Sequence, residues 1–409
     1  MSFLGCTHLA VAAFTGLVAL APAARAGQQG ADGEVLALRF DRVVTCDAKD
    51  TVYDPGMILV QGGKLTYVGP PIDAPEGTEL VELEGWAIPG MVDLHSHVVT
   101  DGWGGINDMV LPANPDLSSA PTIKPSNQQL RLACASGVTT QFLIPGSGTS
   151  IGGFGVLFKS KTQATYAECV LADPGGMKVA QAYNPERGGG DVGRTRAGLY
   201  WILSRVNREA IASREHGLDV FHLRNLAKVH AKELPVLIHT AGSDGVTATV
   251  RMWRDEFPTM SVLSHGSFDG WTTAPYVARM GMPVNHGPRT FDTYARDGRI
   301  VGSSREYVEA GVPLFSLNTD APVIPAHELF LQGSMSARQG LDSRLMLRAL
   351  TIHPAESFGI GDRVGSLEVG KDADIVVFDG DPIDPRSHVE HVWIDGELQY
   401  RPSVHGQWF

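Results

Sequence analysis

Between residues 34 and 90 apolar and polar positions alternate in short runs, separated by turn formers such as Gln61-Gly62-Gly63-Lys64. A period of two broken by Gly, Asp and Pro predicts a small antiparallel β unit. The C-terminal tail repeats the pattern. Ile375-Val376-Val377-Phe378 is wholly apolar, and the run 389–394 turns at Asp395-Gly396 into 397–400. Two β-rich ends around a long middle predict one composite β-sandwich domain assembled from 27–89 and 362–409. The middle, 90–361, alternates short apolar runs with helical stretches, the βα pattern of a parallel sheet. Strands are expected near 139–144, 154–158, 177–182, 235–239, 261–265, 282–286 and 312–317, after a first strand at Met91-Val92-Asp93-Leu94. Helices are expected at 198–214 and 219–232; the first carries Leu199, Ile202, Leu203, Val206 and Ala210 at helical spacing. About 270 residues of such alternation is the length of a (β/α)8 barrel. The fold class is therefore α/β, a TIM-type barrel with a small β-sandwich domain from both chain ends.

Residues 1–26 stand apart. The run 9–23 is almost wholly apolar, with no acid or base, and Ala24-Arg25-Ala26 gives a small-x-small ending. A secretory signal peptide cut after Ala26 is expected, which places the protein in the periplasm or outside the cell. A retained anchor is the alternative, but the run is short for a membrane span, so no stable insertion is expected after cleavage. Cys6 precedes the apolar run, which argues against a lipoprotein. The rest of the chain keeps Cys46, Cys134 and Cys169, too few for a disulfide framework. The 45 acidic against 33 basic residues give a net charge of −12, which argues against nucleic acid as the main partner. A small-molecule substrate is the expected partner, with homo-oligomerisation left open.

Four apolar runs end in metal-ligand types, at His239, His265, His286 and Asp320. Each is about one βα repeat from the next, so a barrel would present all four at its C-terminal rim, where barrel active sites lie. The first strand adds Pro89-Gly90-Met91-Val92-Asp93-Leu94-His95-Ser96-His97. Residues i and i+2 of a strand share a face, so His95 and His97 can reach one ion. Imidazole suits Zn²⁺ and similar divalent metals, and Asp320 supplies an oxygen.

With these motifs the sequence resembles the amidohydrolase superfamily, in its imidazolonepropionase-like and prolidase-like branch. The resemblance covers nearly all of the chain after residue 26. It includes the His95-Ser96-His97 strand, the segment 135–140, the strand-end histidines, Asp320, and the tail Gly365-Ser366-Leu367-Glu368-Val369-Gly370-Lys371-Asp372-Ala373-Asp374. It implies that His95, His97 and Asp320 hold one metal and that His239 and His265 hold a second. Members with two ions bridge them with a carboxylated lysine on the fourth strand, where Lys178 stands; a surface lysine is the alternative. One departure is plain. Relatives often read Gly-Glu-Asn-Pro-Lys here, and this chain reads Ala182-Tyr183-Asn184-Pro185-Glu186, so Tyr183 replaces a glutamate and one ion rather than two is possible.

Such a site implies hydrolysis. A metal lowers the pKa of water toward neutrality and polarises a carbonyl; Asp320 would take the proton and deliver it to the leaving nitrogen. His265 or His286 would help polarise the carbonyl or hold the tetrahedral intermediate, a structural role being the alternative for His286. Tyr183, Arg196 and Arg289 are the substrate-contacting candidates. Arg289 faces two alternatives, a substrate carboxylate or a salt bridge to Asp292. The loop 187–196 is basic and glycine-rich. The segment 145–153 lacks the Gly-Lys-Ser/Thr ending of a phosphate loop and reads as a rim loop. The Pro-rich stretch 98–130, with Trp103, reads as a long loop over the site. The expected activity is exported, metal-dependent cleavage of a cyclic amide, an N-acyl compound or a small dipeptide. Ester or lactone hydrolysis on the same site, and a degenerate binding barrel, are the alternatives.

Overall fold

The computed structural model describes residues 34–101, 106–186, 193–293 and 297–406. The expected signal peptide, Trp103 and the segment 187–192 lie outside these residues. The N-terminal strands are β1 (Val35–Val44), β2 (Val52–Tyr53), β3 (Gly56–Gln61), β4 (Lys64–Gly69) and β5 (Leu80–Pro89). The next seven are β6 (Met91–Ser96), β7 (Val138–Leu143), β8 (Ile151–Lys159), β9 (Val170–Ala180), β10 (Val236–Ala241), β11 (Ser261–Ser267) and β12 (Val284–His286). A small hairpin, β13 (Asp292–Thr293) with β14 (Ile300–Val301), precedes β15 (Ser316–Leu317). The chain ends in β16 (Ile375–Phe378), β17 (Val389–Ile394) and β18 (Glu397–Tyr400).

Both chain ends enter one sheet, in the order β18-β17-β16-β5-β1-β3-β4, with β2 on β1. The seam is antiparallel, Ile375 opposite Pro89 and Phe378 opposite Trp86. The second sheet runs β15-β12-β11-β10-β9-β8-β7-β6. It is nearly closed by a parallel bridge from Ser96 to Ala321, where the His97 amide donates to the Ala321 carbonyl at 2.8 Å. Its strands are buried along nearly their whole length at the mouth, as expected of a sheet covered on both faces. Gly90 joins the two sheets. A Cβ there would lie 1.9 Å from the Thr139 hydroxyl oxygen, so the crossing is open only to glycine.

The barrel departs from the all-parallel pattern at one strand. β8 pairs antiparallel with both β7 and β9. The connection 144–150 is too short for a parallel crossover, which needs a dozen or more residues, so the chain turns straight back. In place of an outer helix, residues 113–118 pack on β8, with bridges from Ala113 to Ile151 and from Ser118 to Phe154.

At its far end β8 fastens the barrel to the sheet domain. The Lys159 ammonium is buried, 2.8 Å from Asp372 and 3.0 Å from Asp374, and also pairs with Asp395. Burial opposes its charge, but Asp374, Asp395 and Asp372 outweigh burial and hold its pKa above the ordinary lysine value. Removing one partner of a buried ion cluster strands the others in low dielectric. Lys159→Met is therefore expected to destabilise the fold by about 3–5 kcal/mol, read as a lowered urea midpoint, with Lys161→Met, nearer the surface, costing much less.

Candidate metal centre

Strand alternation puts His95 and His97 on the inner face of the first barrel strand, and both reach Asp320 beyond β15. His95 Nε2 lies 3.3 Å and His97 Nε2 3.2 Å from Asp320 Oδ1. His265 Nε2 lies 3.9 Å from Asp320 Oδ2. The rings of His95 and His265 are 4.3 Å apart between centroids, and those of His239 and His265 4.6 Å. Two overlapping ligand groups result, His95 with His97 and Asp320, and His95 with His239 and His265. Lys178, fully buried on β9, places its Nζ 2.8 Å from His95 Nε2 and 3.0 Å from Ser147 Oγ.

Burial in the barrel mouth disfavours the charged form of His95, His239, His265 and Lys178. It holds His95 and His239 well below the ordinary imidazole value and takes His265 down to about 4. It lowers the Lys178 amine to about 7, with Asp320 opposing. For Asp320 burial acts to raise the pKa, but His265, His97 and Lys178 outweigh it and keep the carboxylate ionised.

Proton positions follow from the partners. His97 Nδ1 lies 3.1 Å from the Ile144 carbonyl and His265 Nδ1 2.7 Å from the Gly287 carbonyl. A carbonyl only accepts, so Nδ1 carries the proton and a neutral ring presents a bare Nε2 lone pair. His95 Nδ1 is held by the Ser264 hydroxyl at 2.6 Å. Both nitrogens of His239, and Nε2 of His265, are buried without a hydrogen-bond partner among the described residues. Lone pairs thus converge on one another and on a carboxylate. Buried polar atoms without partners are costly, and a divalent cation satisfies this nitrogen and oxygen set.

A bulge aims His265. Thr240 pairs with His265 and Ala241 with Ser267, so one residue of β11 is extra. His265 and Gly266 both take left-handed backbone, φ 76° and 62°, and such bulges re-aim a side chain beside a site. The Tyr307 hydroxyl donates to the Gly266 carbonyl at 2.9 Å. A Cβ on Gly266 would lie 2.4 Å from that hydroxyl.

His286 is not brought into the ligand cluster. Its Nδ1 donates to the His265 carbonyl at 2.6 Å and its Nε2 lies 2.9 Å from Ser303 Oγ, with the ring against Tyr307 and Phe315. No ring atom is left for a carbonyl or an oxyanion; it braces the His265 bulge instead. Tyr183 also stands outside the cluster, half-exposed, with its hydroxyl over Gly242. Arg196 pairs with Glu186 at 3.1 Å and with Asp244, and its guanidinium sits over the Tyr183 ring. Arg289 is exposed and stands over the Phe268 ring rather than on Asp292.

Three contributors escaped the sequence reading. Ser147, in the 145–153 segment, reaches Lys178, and the Asn107 side chain braces its turn by accepting from the Gly148 amide at 2.9 Å. Ser264 orients His95. Asp93 accepts from the His95 amide at 3.0 Å and from the Thr319 hydroxyl, tying the first strand to the residue before Asp320. Burial pushes the Asp93 carboxyl up to about 7, against those hydrogen bonds. Only Asp93 had a visible signal, being two residues before His95 on the same strand face.

The model of the amidohydrolase family matches residues 214–400. An amidohydrolase from Thermotoga maritima MSB8 superposes with a TM-score of 0.80 at 28% identity, over 90% of this chain and all of that one. By these two matches the chain is similar to the amidohydrolase family. It is a metal-dependent hydrolase whose histidine cluster is the metal site. The imidazolonepropionase of Sphingopyxis alaskensis is 24% identical over 80% of this chain and 88% of its own length. Amidohydrolase tasK of Hapsidospora irregularis is 25% identical over 85% of this chain, which spans only 40% of that relative.

Ser264→Ala removes the hydroxyl that orients His95 while leaving every ligand atom in place. Loss of such a partner typically costs 10–100-fold in metal affinity. The expected result is a weakening of roughly that size, read as metal retained against graded chelator.

Proposed function

We propose that the chain is an exported, zinc-dependent hydrolase that cleaves a non-peptide carbon–nitrogen bond, in a cyclic amide or an N-acyl compound, or the bond of a small dipeptide. The observation that supports it is the convergence of five ligand side chains with Lys178 at the strand ends of one barrel; the family's name supports the amide bond. When bound, the cation supplies Lewis acidity and lowers the pKa of water.

The chain's own residues do the rest. Asp320 stays ionised beside His95 and His97, so it can accept a proton from water and return it to the leaving nitrogen. His265 spends its one ring proton on the Gly287 carbonyl, which favours a ligand role over proton donation. Lys178, neutral above about pH 7, is a nucleophilic amine able to take up carbon dioxide with loss of a proton, and the resulting carbamate would offer the cation carboxylate oxygens that Tyr183 does not. The substrate is a small molecule rather than nucleic acid, and association of copies is compatible with this reading. No helix among the described residues is long and apolar enough to cross a membrane.

Metal content per chain tests the centre. Protein purified without chelator is expected to carry near two ions, and Lys178→Ala fewer. One ion unchanged by the substitution would remove Lys178 from the centre, and none in either would end the zinc reading. Export is tested separately: the N-terminus of protein recovered from the periplasm or medium should begin at Gly27, and an intact Met1 in the cytoplasm would overturn it.

A further inference from the structure

Side chains from separate strand exits form a row on the rim. Tyr183 follows β9, Phe268 follows β11, and Arg289 follows β12. The Tyr183 and Phe268 rings lie 5.1 Å apart between centroids, tilted by 41°. The Arg196 guanidinium stands 5.5 Å from the Tyr183 ring and that of Arg289 6.0 Å from the Phe268 ring. A cation–aromatic–aromatic–cation row thus crosses the exits of the strands that carry Lys178, His239 and His265.

Folding alone does not account for this row. Tyr183 and Phe268 both take left-handed backbone, φ 64° and 57°, which is strained for a bulky residue. Yet they are 38% and 40% exposed, so much of the return from burying an aromatic ring is forgone. The chain nevertheless fixes the conformation. The Tyr183 amide donates to Glu186 Oε1 at 2.8 Å, and the Glu186 amide donates to the Tyr183 carbonyl at 2.9 Å. The Ser243 amide likewise donates to Asp269, next to Phe268, at 2.9 Å.

The two ends of the row differ in charge. Arg196 is neutralised by Glu186 and Asp244. Arg289 pairs with no carboxylate among the described residues. An unpaired guanidinium is a planar, permanently charged fork that matches a carboxylate, and a rigid aromatic face beside it suits a flat apolar group.

We propose that this row is a substrate subsite, binding an aromatic ring against Phe268 and Tyr183 and a carboxylate at Arg289. The compounds hydrolysed are then arylalkyl carboxylates rather than neutral or aliphatic amides. This rests on the reading of the metal cluster as the hydrolytic centre, but its binding chemistry is measured apart from turnover. Calorimetric titration of the full, metal-loaded chain with 3-phenylpropionate, 3-phenylpropanol and propionate separates ring from charge, and none of the three carries a bond to cleave. 3-Phenylpropionate is expected to bind at least about tenfold tighter than 3-phenylpropanol, the scale of one desolvated charged hydrogen bond, and about tenfold tighter than propionate, the scale of partly burying an aromatic ring. Arg289→Ala should abolish the preference over 3-phenylpropanol, Arg289→Lys should restore only part of it, and Phe268→Ala should abolish the preference over propionate. Equal affinity for all three probes in the unaltered protein overturns the subsite without any variant. So does unchanged 3-phenylpropionate binding in Arg289→Ala, which would place the carboxylate on the metal. Probe discrimination with no amide hydrolysis would count against the hydrolase reading alone, and hydrolysis without discrimination against the subsite alone.

Discussion

Keeping the imidazoles of His95, His239 and His265 and the Lys178 amine from holding charge inside one barrel mouth is the constraint on which the site depends. Charged, these groups would repel one another in a cavity with little water to screen them. Burial removes the charge, but it leaves lone pairs that need a partner. The chain turns the remaining ring protons outward, onto the Ile144 and Gly287 carbonyls and the Ser264 hydroxyl. Asp320 is the sole carboxylate among the two ligand groups and stays ionised. Neutral nitrogens facing one anionic oxygen attract a cation and are poor hosts for anything else.

The β7–β8 hairpin links that constraint to the rest of the molecule. Its turn supplies the Ile144 carbonyl to His97 and the Ser147 hydroxyl to Lys178. Its far end carries Lys159 into the acids of the sheet domain. One reversed strand therefore spans the barrel from the ion cluster at its floor to the metal centre at its mouth. The composite sheet is more than an appendage, because the acids that fix this strand, Asp372, Asp374 and Asp395, lie on the C-terminal part of the chain.

Sequence made the height of residues legible, and their direction much less so. An apolar run followed by His or Asp marks a strand exit, and this located His95, His97, His239, His265 and Asp320 at one rim. His286 carries the same mark yet turns to the His265 carbonyl and Ser303, because strand position fixes level and not facing. The bulge at His265 has no signature beyond Gly266, and it lets both Ser264 and His265 approach His95, against simple alternation. The reversal of β8 was hidden for a related reason. An apolar run reads alike in either direction, and only the shortness of the 144–150 turn tells them apart. Tyr183 and Arg289 were visible in the sequence, but Phe268, whose ring stands between them, comes from a loop far from Tyr183 and carries no signal of its own.

Backbone strain joins the metal ligands to the rim aromatics. His265 and Asp320, at φ 76° and 50°, and Tyr183 and Phe268, at 64° and 57°, all take left-handed conformations just where barrel strands end. A left-handed residue lets the chain swing away from the barrel while its side chain stays over the opening. Glycine would adopt that turn at little cost but would have no side chain to hold there. For His265 and Asp320 the reason to accept the strain is plain, since both meet the ligand cluster. Tyr183 and Phe268 accept the same strain for side chains that bury only part of their surface. Strain at such positions persists only where surrounding structure over-determines it, and here Glu186, Arg196 and Asp269 do so. The fold therefore treats the aromatic pair as it treats its metal ligands: as side chains to be held at the mouth at a cost to stability.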